Sequence, residues 1–240
     1  MPFRDRQRGC LGVPDTRGLC GRSADPNGST SSAKGTSTSA IVLAGGYSRR
    51  MGSDKALLKI NHRTIADIIT QRLYTLTHDV WIVRRSDQAK ISLKHAQVTY
   101  DYHEGDGPLA GLESGLTHCK YDWSLCLAVD TPSLKLPLLQ YLIAKKQMVE
   151  DHADAIVCVL DGQVYPLLAL YNKSVLPVVS DMLAQGDRKV RTLLSKIRVE
   201  YVHEIEWHAY DPAGESFRMM NTPDDFSRIS SLISEQKGDS

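Results

Sequence analysis

No stretch of this 240-residue chain approaches the ~20 consecutive apolar residues of a membrane-spanning helix, and none has the form of a secretory hydrophobic region. The protein is therefore expected to be cytoplasmic, with no membrane partner. C-x-x-C pairs are absent, and five cysteines make an odd number, which argues against a zinc ribbon or a stapled secreted scaffold. Cys119, Cys126 and Cys158 fall in apolar or helical context, where buried reduced thiols are expected; Cys10 and Cys20 precede the domain. There is no G-x-S-x-G elbow, no Cys/His pairing that announces a nucleophile, and no internal repeat. The histidines lie in loops or on helix faces, where packing is their expected role.

Basic excess is missing too. The chain's formal net charge is +1. Residues 1–39 carry six basic residues (Arg4, Arg6, Arg8, Arg17, Arg22, Lys34) against Asp5, Asp15 and Asp25, so the remainder is slightly acidic. Such a surface lacks the electrostatic footprint of nucleic-acid binding. The same 39 residues hold a Ser/Thr-rich run from Ser29 to Ser39 and almost no apolar periodicity, and they read as a disordered tail. Their Arg and Ser content suggests a transit peptide, but three aspartates interrupt it, and a misassigned start codon fits as well. Residues 40–235 then form one domain, followed by a flexible end at 236–240.

Short β-rich runs alternate with stretches at helical period, the pattern of βαβ units around a mostly parallel sheet, giving a single Rossmann-like three-layer α/β domain. Strands are expected at Ile41–Ala44, Val80–Val83, Val98–Tyr100, Ser124–Val129, Ala155–Leu160 and Val164–Tyr171, with Val199–Ile205 extended. Helices are expected from Ile65, capped by Thr64, and over 109–119, 136–149, 174–184, 188–197 and 223–234.

Residues 41–58 read I-V-L-A-G-G-Y-S-R-R-M-G-S-D-K-A-L-L, an apolar strand that breaks into two glycines and a cluster of cations. Gly45 and Gly46 let the backbone approach a ligand, and Arg49, Arg50 and Lys55 place positive charge beside it, as a nucleoside triphosphate requires. A P-loop is excluded because Gly52 is followed by Ser53, Asp54 and Lys55, and the adjacent glycines exclude G-x-G-x-x-G. In an open α/β sheet ligands bind beyond the carboxyl ends of the strands. The glycine pair, Asp101 and Asp130 each follow a strand and are expected to line one crevice. Asp130, at the end of Leu125–Val129, suits a magnesium ion bridging carboxylate and phosphates, or else opens the Asp-Thr-Pro turn. Asp101 either faces this crevice or is a solvated loop acid, and His103, Glu104 and Asp106 beyond it read as loop polarity.

From Leu43 to Leu58 the chain matches L-A-G-G-x-S-x-R-M-G-x-D-K-x-L-L, the signature loop of nucleotidyltransferases. It most resembles the molybdenum cofactor guanylyltransferases, over residues 40 to 228, with Gly107-Pro108-Leu109-Ala110-Gly111-Leu112 similar to a second signature and Asn221-Thr222-Pro223-Asp224 to the N-T-P-[DE] ending. The resemblance implies transfer of GMP from GTP to molybdopterin with Mg2+ and release of pyrophosphate. It implies nucleotide contacts at Leu43, Ala44, Gly45, Gly46, Lys55, Asp101 and Asp130, and catalytic roles for Lys55, Asp130, Arg49 and Arg50. It further implies Asp130 as the metal ligand and Asn221 as a contact to the pterin-bearing acceptor, with molybdoenzymes or their chaperones as partners. Asn221 is also a good helix cap before Thr-Pro-Asp.

Two positions depart from the pattern. Val83 stands where family members carry an asparagine after the second strand, and Met219 replaces another asparagine two residues before N-T-P. The cytidylyl branch reads L-A-A-G, so Gly46 favours guanine. Transfer of CMP to molybdopterin, transfer to a sugar phosphate, and a non-catalytic adaptor that binds nucleotide and delivers cofactor are the alternatives.

Overall fold

The alternation of apolar runs and helical periods is realised as a seven-stranded sheet covered on both faces. The computed structural model describes residues 38–46, 54–101 and 107–235. The strands are β1 (Thr38–Leu43), a hairpin of β2 (Lys59–Ile60) and β3 (Arg63–Thr64), β4 (Val80–Arg84), β5 (Gln97–Tyr100), β6 (Trp123–Ala128), β7 (Ala155–Leu160), β8 (Gln163–Asn172) and β9 (Val199–Val202). The helices are α1 (Ile65–Tyr74), α2 (Gly107–His118), α3 (Leu136–Val149), α4 (Leu176–Ala184), α5 (Val190–Leu194), α6 (Glu204–Trp207) and α7 (Pro223–Glu235). In the main sheet the order is β5-β4-β1-β6-β8-β7-β9, with β8 antiparallel to both of its neighbours. The chain leaves β1 toward β4 and β5 and returns on the other side as β6, so the order reverses between β1 and β6, where a crevice opens at the carboxyl ends.

Residue alternation along β1 divides the core. Ala40 and Val42 face the layer built by α1, α3 and α7, whereas Ile41 and Leu43 face the layer of α2, α4 and α5. Both faces are buried, which is why the strands read as continuous apolar runs. No helix among the described residues is long and apolar enough to cross a membrane. Cys119, Cys126 and Cys158 are free and buried as expected, while Cys10 and Cys20 lie outside the described residues.

Gly115 sets the spacing of α2 against β1. A Cβ at this position would lie 2.6 Å from Ile41 Cγ2 and 2.9 Å from Ile41 Cδ1. In an exposed helix Gly→Ala stabilises by up to about 1 kcal/mol, but here the overlap outweighs propensity. Gly115→Ala is expected to destabilise the protein by about 1–3 kcal/mol, read as a lower denaturant midpoint with unchanged slope.

Several expectations need correction. β1 begins at Thr38, not Ile41, and Thr38 and Ser39 are fully buried, with the Ser39 hydroxyl donating to Asp79 Oδ2 at 2.5 Å. The β2–β3 hairpin was not anticipated: its turn uses Asn61 (φ 49°) and His62 (φ 66°), both left-handed, without the glycine that advertises such turns. The segment expected to stay extended to Ile205 instead turns into α6 after Val202, with the Glu206 carboxylate accepting from the His203 backbone N–H at 3.1 Å. α5 is shorter than the 188–197 expected. Between β7 and β8 the register shifts: Val157 pairs with Ala169 but Cys158 with Tyr165, and Pro166 of β8, which cannot donate to a ladder, sits in the resulting bulge.

Candidate functional site

A cavity of about 410 Å³ opens at the carboxyl ends of β1, β4 and β6 and is lined by Leu43, Ala44, Gly45, Gly46, Asp54, Lys55, Asp101 and Asp130, together with Val83, Arg85, Gly111 and Leu167. Strand register places its walls. Val129 N–H donates to the Leu43 carbonyl at 3.0 Å and Ala44 N–H to the Val83 carbonyl at 2.8 Å, so the ends of β1, β4 and β6 stay level and their loops converge. Leu167 reaches the cavity from the bulge in β8. The crevice expected from the strand-end rule is therefore formed by the residues expected to form it. Arg49 and Arg50, like His103, Glu104 and Asp106, lie outside the described residues.

Lys55 opens a single 3-10 turn, Lys55–Leu57, rather than lying in a loop; the Asp54 carboxylate caps it by accepting from Ala56 N–H at 3.0 Å. From there Lys55 Nζ is 3.3 Å from Asp130 Oδ2 and donates to Asn221 Oδ1 at 2.8 Å. One ammonium thus joins three distant segments. Met220 N–H donates to the Asp130 carbonyl at 2.7 Å, which brings the N-T-P segment alongside β6. The cap of α7 is Thr222, whose hydroxyl accepts from Asp225 N–H at 3.1 Å while the Asp225 carboxylate accepts from Thr222 N–H at 2.9 Å. That frees the Asn221 side chain for Lys55, so its capping role is taken by its neighbour.

Each aspartate keeps one oxygen unsatisfied. Asp101 Oδ1 and Asp130 Oδ1 are buried without a hydrogen-bond partner. Buried orphan carboxylate oxygens are costly and call for a donor or a cation from a ligand. Among the described residues no group of three or more His, Cys, Asp or Glu is gathered for a metal. A cation here would rely on one carboxylate and on ligand oxygens, the mode that suits magnesium on phosphates.

Desolvation pushes the Asp101 pKa up to about 6, with the Arg85 guanidinium pulling the other way. Because the folded value lies above the unfolded one near 3.9, this group lowers stability as pH rises from about 4 to about 6, and the penalty is complete above that window. Asp101→Asn is expected to raise stability at pH 7.5 by about 1–2 kcal/mol, discounted for partial solvent screening. Thermal melts should show the gain shrinking as pH is lowered through 6 toward 4.

The glycines differ in what they permit. A Cβ on Gly45 would come within 3.0 Å of Asp101 Oδ2 and 3.3 Å of Arg85 Cγ, and one on Gly111 within 3.3 Å of Asp101 Oδ1. At Gly46 a Cβ would meet nothing within 4 Å. The position at which L-A-A-G departs from this chain is Gly45, not Gly46, and it is Gly45 that touches the site. Val83 remains in β4, buried at the cavity wall. Met219 is half-exposed and outside the cavity lining. Sequence reasoning missed Asp54, Arg84, Arg85 and Gln88. The strand-end rule, applied to β4 as to β1 and β6, would have pointed to the cations at 84 and 85.

Comparison with known proteins is consistent with this arrangement. The model of the MobA-like NTP transferase domain matches residues 40–203. A probable molybdenum cofactor guanylyltransferase of Bacillus cytotoxicus is 31% identical over 176 residues, 72% of this chain and 87% of that protein. The molybdenum cofactor guanylyltransferase of Vibrio parahaemolyticus is 28% identical over 200 residues, 83% of this chain and 98% of its own. Among solved structures, molybdopterin-guanine dinucleotide biosynthesis protein A from Archaeoglobus fulgidus superposes with a TM-score of 0.69 at 26% identity, covering 82% of this chain and 99% of that one. With the family model spanning the sheet from β1 to β9 and every strand end that lines the cavity, the chain belongs to the MobA-like NTP transferase family.

Proposed function

We propose that this protein transfers GMP from GTP to the terminal phosphate of molybdopterin, releasing pyrophosphate and forming the guanine dinucleotide form of the cofactor. The observation that carries the reading is Lys55 Nζ held between Asp130 Oδ2 and Asn221 Oδ1 at the mouth of a cavity walled by the glycine loop. In the reaction an oxygen of the acceptor phosphate forms a bond to the α-phosphorus of GTP while the bond from that phosphorus to the bridging oxygen breaks, and pyrophosphate leaves with the electron pair. Two anions must approach one another, so the protein's task is positioning and charge compensation.

Lys55 supplies a fixed positive charge at the phosphates, tethered on two sides so that it need not reorganise as charge shifts to the leaving group. Arg49 and Arg50 belong to the same loop and are proposed to share that role. Asn221 orients Lys55 through its side-chain oxygen and is proposed to border the acceptor. Asp101 and the backbone of Leu43, Ala44, Gly45 and Gly46 line the nucleotide's place, with Asp101 Oδ1 available to a donor on ribose or base. The orphaned Asp130 Oδ1 fits a magnesium ion, which when bound would supply Lewis-acid charge at phosphate oxygens. Three buried free thiols fit a reducing compartment, and we place the reaction in the cytoplasm, with molybdoenzymes or their chaperones as recipients of the product.

Thermal shift with magnesium and each of the four nucleoside triphosphates tests the base preference. GTP is expected to raise the melting temperature most. Equal shifts from all four, or a larger shift from CTP, would contradict a guanine reading and favour the cytidylyl or sugar-phosphate alternatives.

A further inference from the structure

The turn that follows β4 grips both ends of the glycine loop. Arg85 Nη1 donates to the Gly45 carbonyl at 2.8 Å, and Gln88 Nε2 donates to the Ala44 carbonyl at 3.1 Å and to Asp54 Oδ2 at 3.3 Å. Arg84 Nη2 makes the shortest of these contacts, 2.6 Å to Asp54 Oδ2, and also donates to the Ala89 carbonyl at 3.0 Å. Asp54 is the residue before Lys55, and its other oxygen caps the turn on which Lys55 sits. A three-residue turn has too few bonds of its own to fix its heading, so the direction of Lys55 depends on where the Asp54 carboxylate is held.

The bland alternative is an ion pair that only stabilises the fold. Burial argues against it. The Arg84 side chain has no exposed surface, and its Nε and Nη1 lack hydrogen-bond partners. A guanidinium buried with two unpaired nitrogens costs stability, and a buried ion pair is weak support for a fold, since replacing such a pair as a whole by apolar side chains is commonly neutral or better. What an apolar residue cannot do is hold Asp54 against the rigid end of β4. Lys55 Nζ lies 3.3 Å from Asp130 Oδ2 and 2.8 Å from Asn221 Oδ1, so a shift of Asp54 by about 1 Å that carried Lys55 with it would stretch both contacts past hydrogen-bonding range.

We propose that Arg84 is a positioning residue for Lys55, acting through Asp54: its guanidinium holds the Asp54 carboxylate so that Lys55 reaches Asp130, Asn221 and the triphosphate. The inference rests on the triphosphate-transfer reading above and adds a residue to it. Arg84 is not among the residues lining the cavity and is linked to Lys55 through Asp54.

The test is a double-mutant comparison of Arg84→Met, Arg84→Lys, Lys55→Met and the Arg84→Met/Lys55→Met pair, read as kcat and KM for pyrophosphate release and as the thermal shift produced by GTP with magnesium. Arg84→Met is expected to lower kcat about 10–100-fold with a smaller change in KM, Arg84→Lys to recover part of the loss, and Arg84→Met to add less than about twofold in the Lys55→Met background. Multiplicative losses in the double variant would overturn the proposal. So would an Arg84→Met protein that melts lower yet keeps the wild-type kcat and the wild-type GTP shift, since that is a purely structural role. If Arg84→Met does not fold, Asp54→Asn, alone and with Lys55→Met, carries the same comparison, because it breaks the same link from its partly exposed end. Should wild-type protein bind GTP but release no pyrophosphate with molybdopterin, the acceptor reading fails while the coupling of residues 84 and 55 is still decided by the GTP shift. Absence of any triphosphate shift in the wild type would sink both.

Discussion

Lys55→Met is expected to lower kcat for pyrophosphate release about 10³-fold, the scale on which removal of one preorganised charged donor is felt. The side chain is mostly buried and its Nζ is held on two sides, 3.3 Å from Asp130 Oδ2 and 2.8 Å from Asn221 Oδ1. Methionine keeps the length and the apolar stem but removes the charge where negative charge accumulates on the departing pyrophosphate. Binding of GTP should weaken less than turnover does, because in the proposed site the ground-state triphosphate is also held by the backbone at Gly45 and Gly46. Initial rates over a GTP titration check this. A loss below about tenfold in kcat would mean that Lys55 is a scaffold contact between loops and not part of the reaction.

Asp130→Asn is expected to lower kcat/KM by about 10³ and to abolish the response to magnesium. The substitution keeps volume and leaves the Met220 N–H to Asp130 carbonyl bond intact, so the fold should be retained. It removes the negative charge from the buried oxygen that has no partner and weakens the anchor of Lys55. Rates against magnesium concentration, with circular dichroism as a control for folding, check the prediction. The same position separates the enzyme from a carrier. An Asp130→Ala protein that still supports full molybdoenzyme activity in a deletion strain would mean that the protein delivers cofactor without making it.

How much of this was legible in the sequence differs from residue to residue for identifiable reasons. Gly45 and Asp130 were readable because each follows an apolar run buried on both faces, where a polar or glycine residue stands out, whereas Asp101 follows the half-exposed edge strand β5 and was placed by the strand-end rule alone. Thr64 as the cap of α1 was equally plain, and its hydroxyl accepts from Asp67 N–H at 3.1 Å. Arg84 and Arg85 were not read, because cations that end a strand look like a solvated edge; only tertiary placement shows one of them wholly buried against Asp54. Asn221 carried two readings that sequence could not separate, since Asn and Thr are both good caps; the choice fell to Thr222 once Asp225 bonded to it. The β2–β3 hairpin depended on two non-glycine residues adopting positive φ, which neighbouring packing imposes and composition does not announce.

Base selection follows from the same geometry. With Val83 apolar at the cavity wall, that position offers no side-chain amide, and we propose that base discrimination falls to Asp101 and the close backbone at Gly45. The unpartnered Asp101 Oδ1 offers an acceptor, which suits the N–H donors of a guanine edge.

The central claim is most directly tested by measuring pyrophosphate release from purified protein with magnesium, molybdopterin and either GTP or CTP, beside a known molybdenum cofactor guanylyltransferase. Release with GTP that depends on molybdopterin, and little with CTP, is the predicted result. No release with GTP while the control enzyme turns over in parallel, or preferential release with CTP, would contradict it.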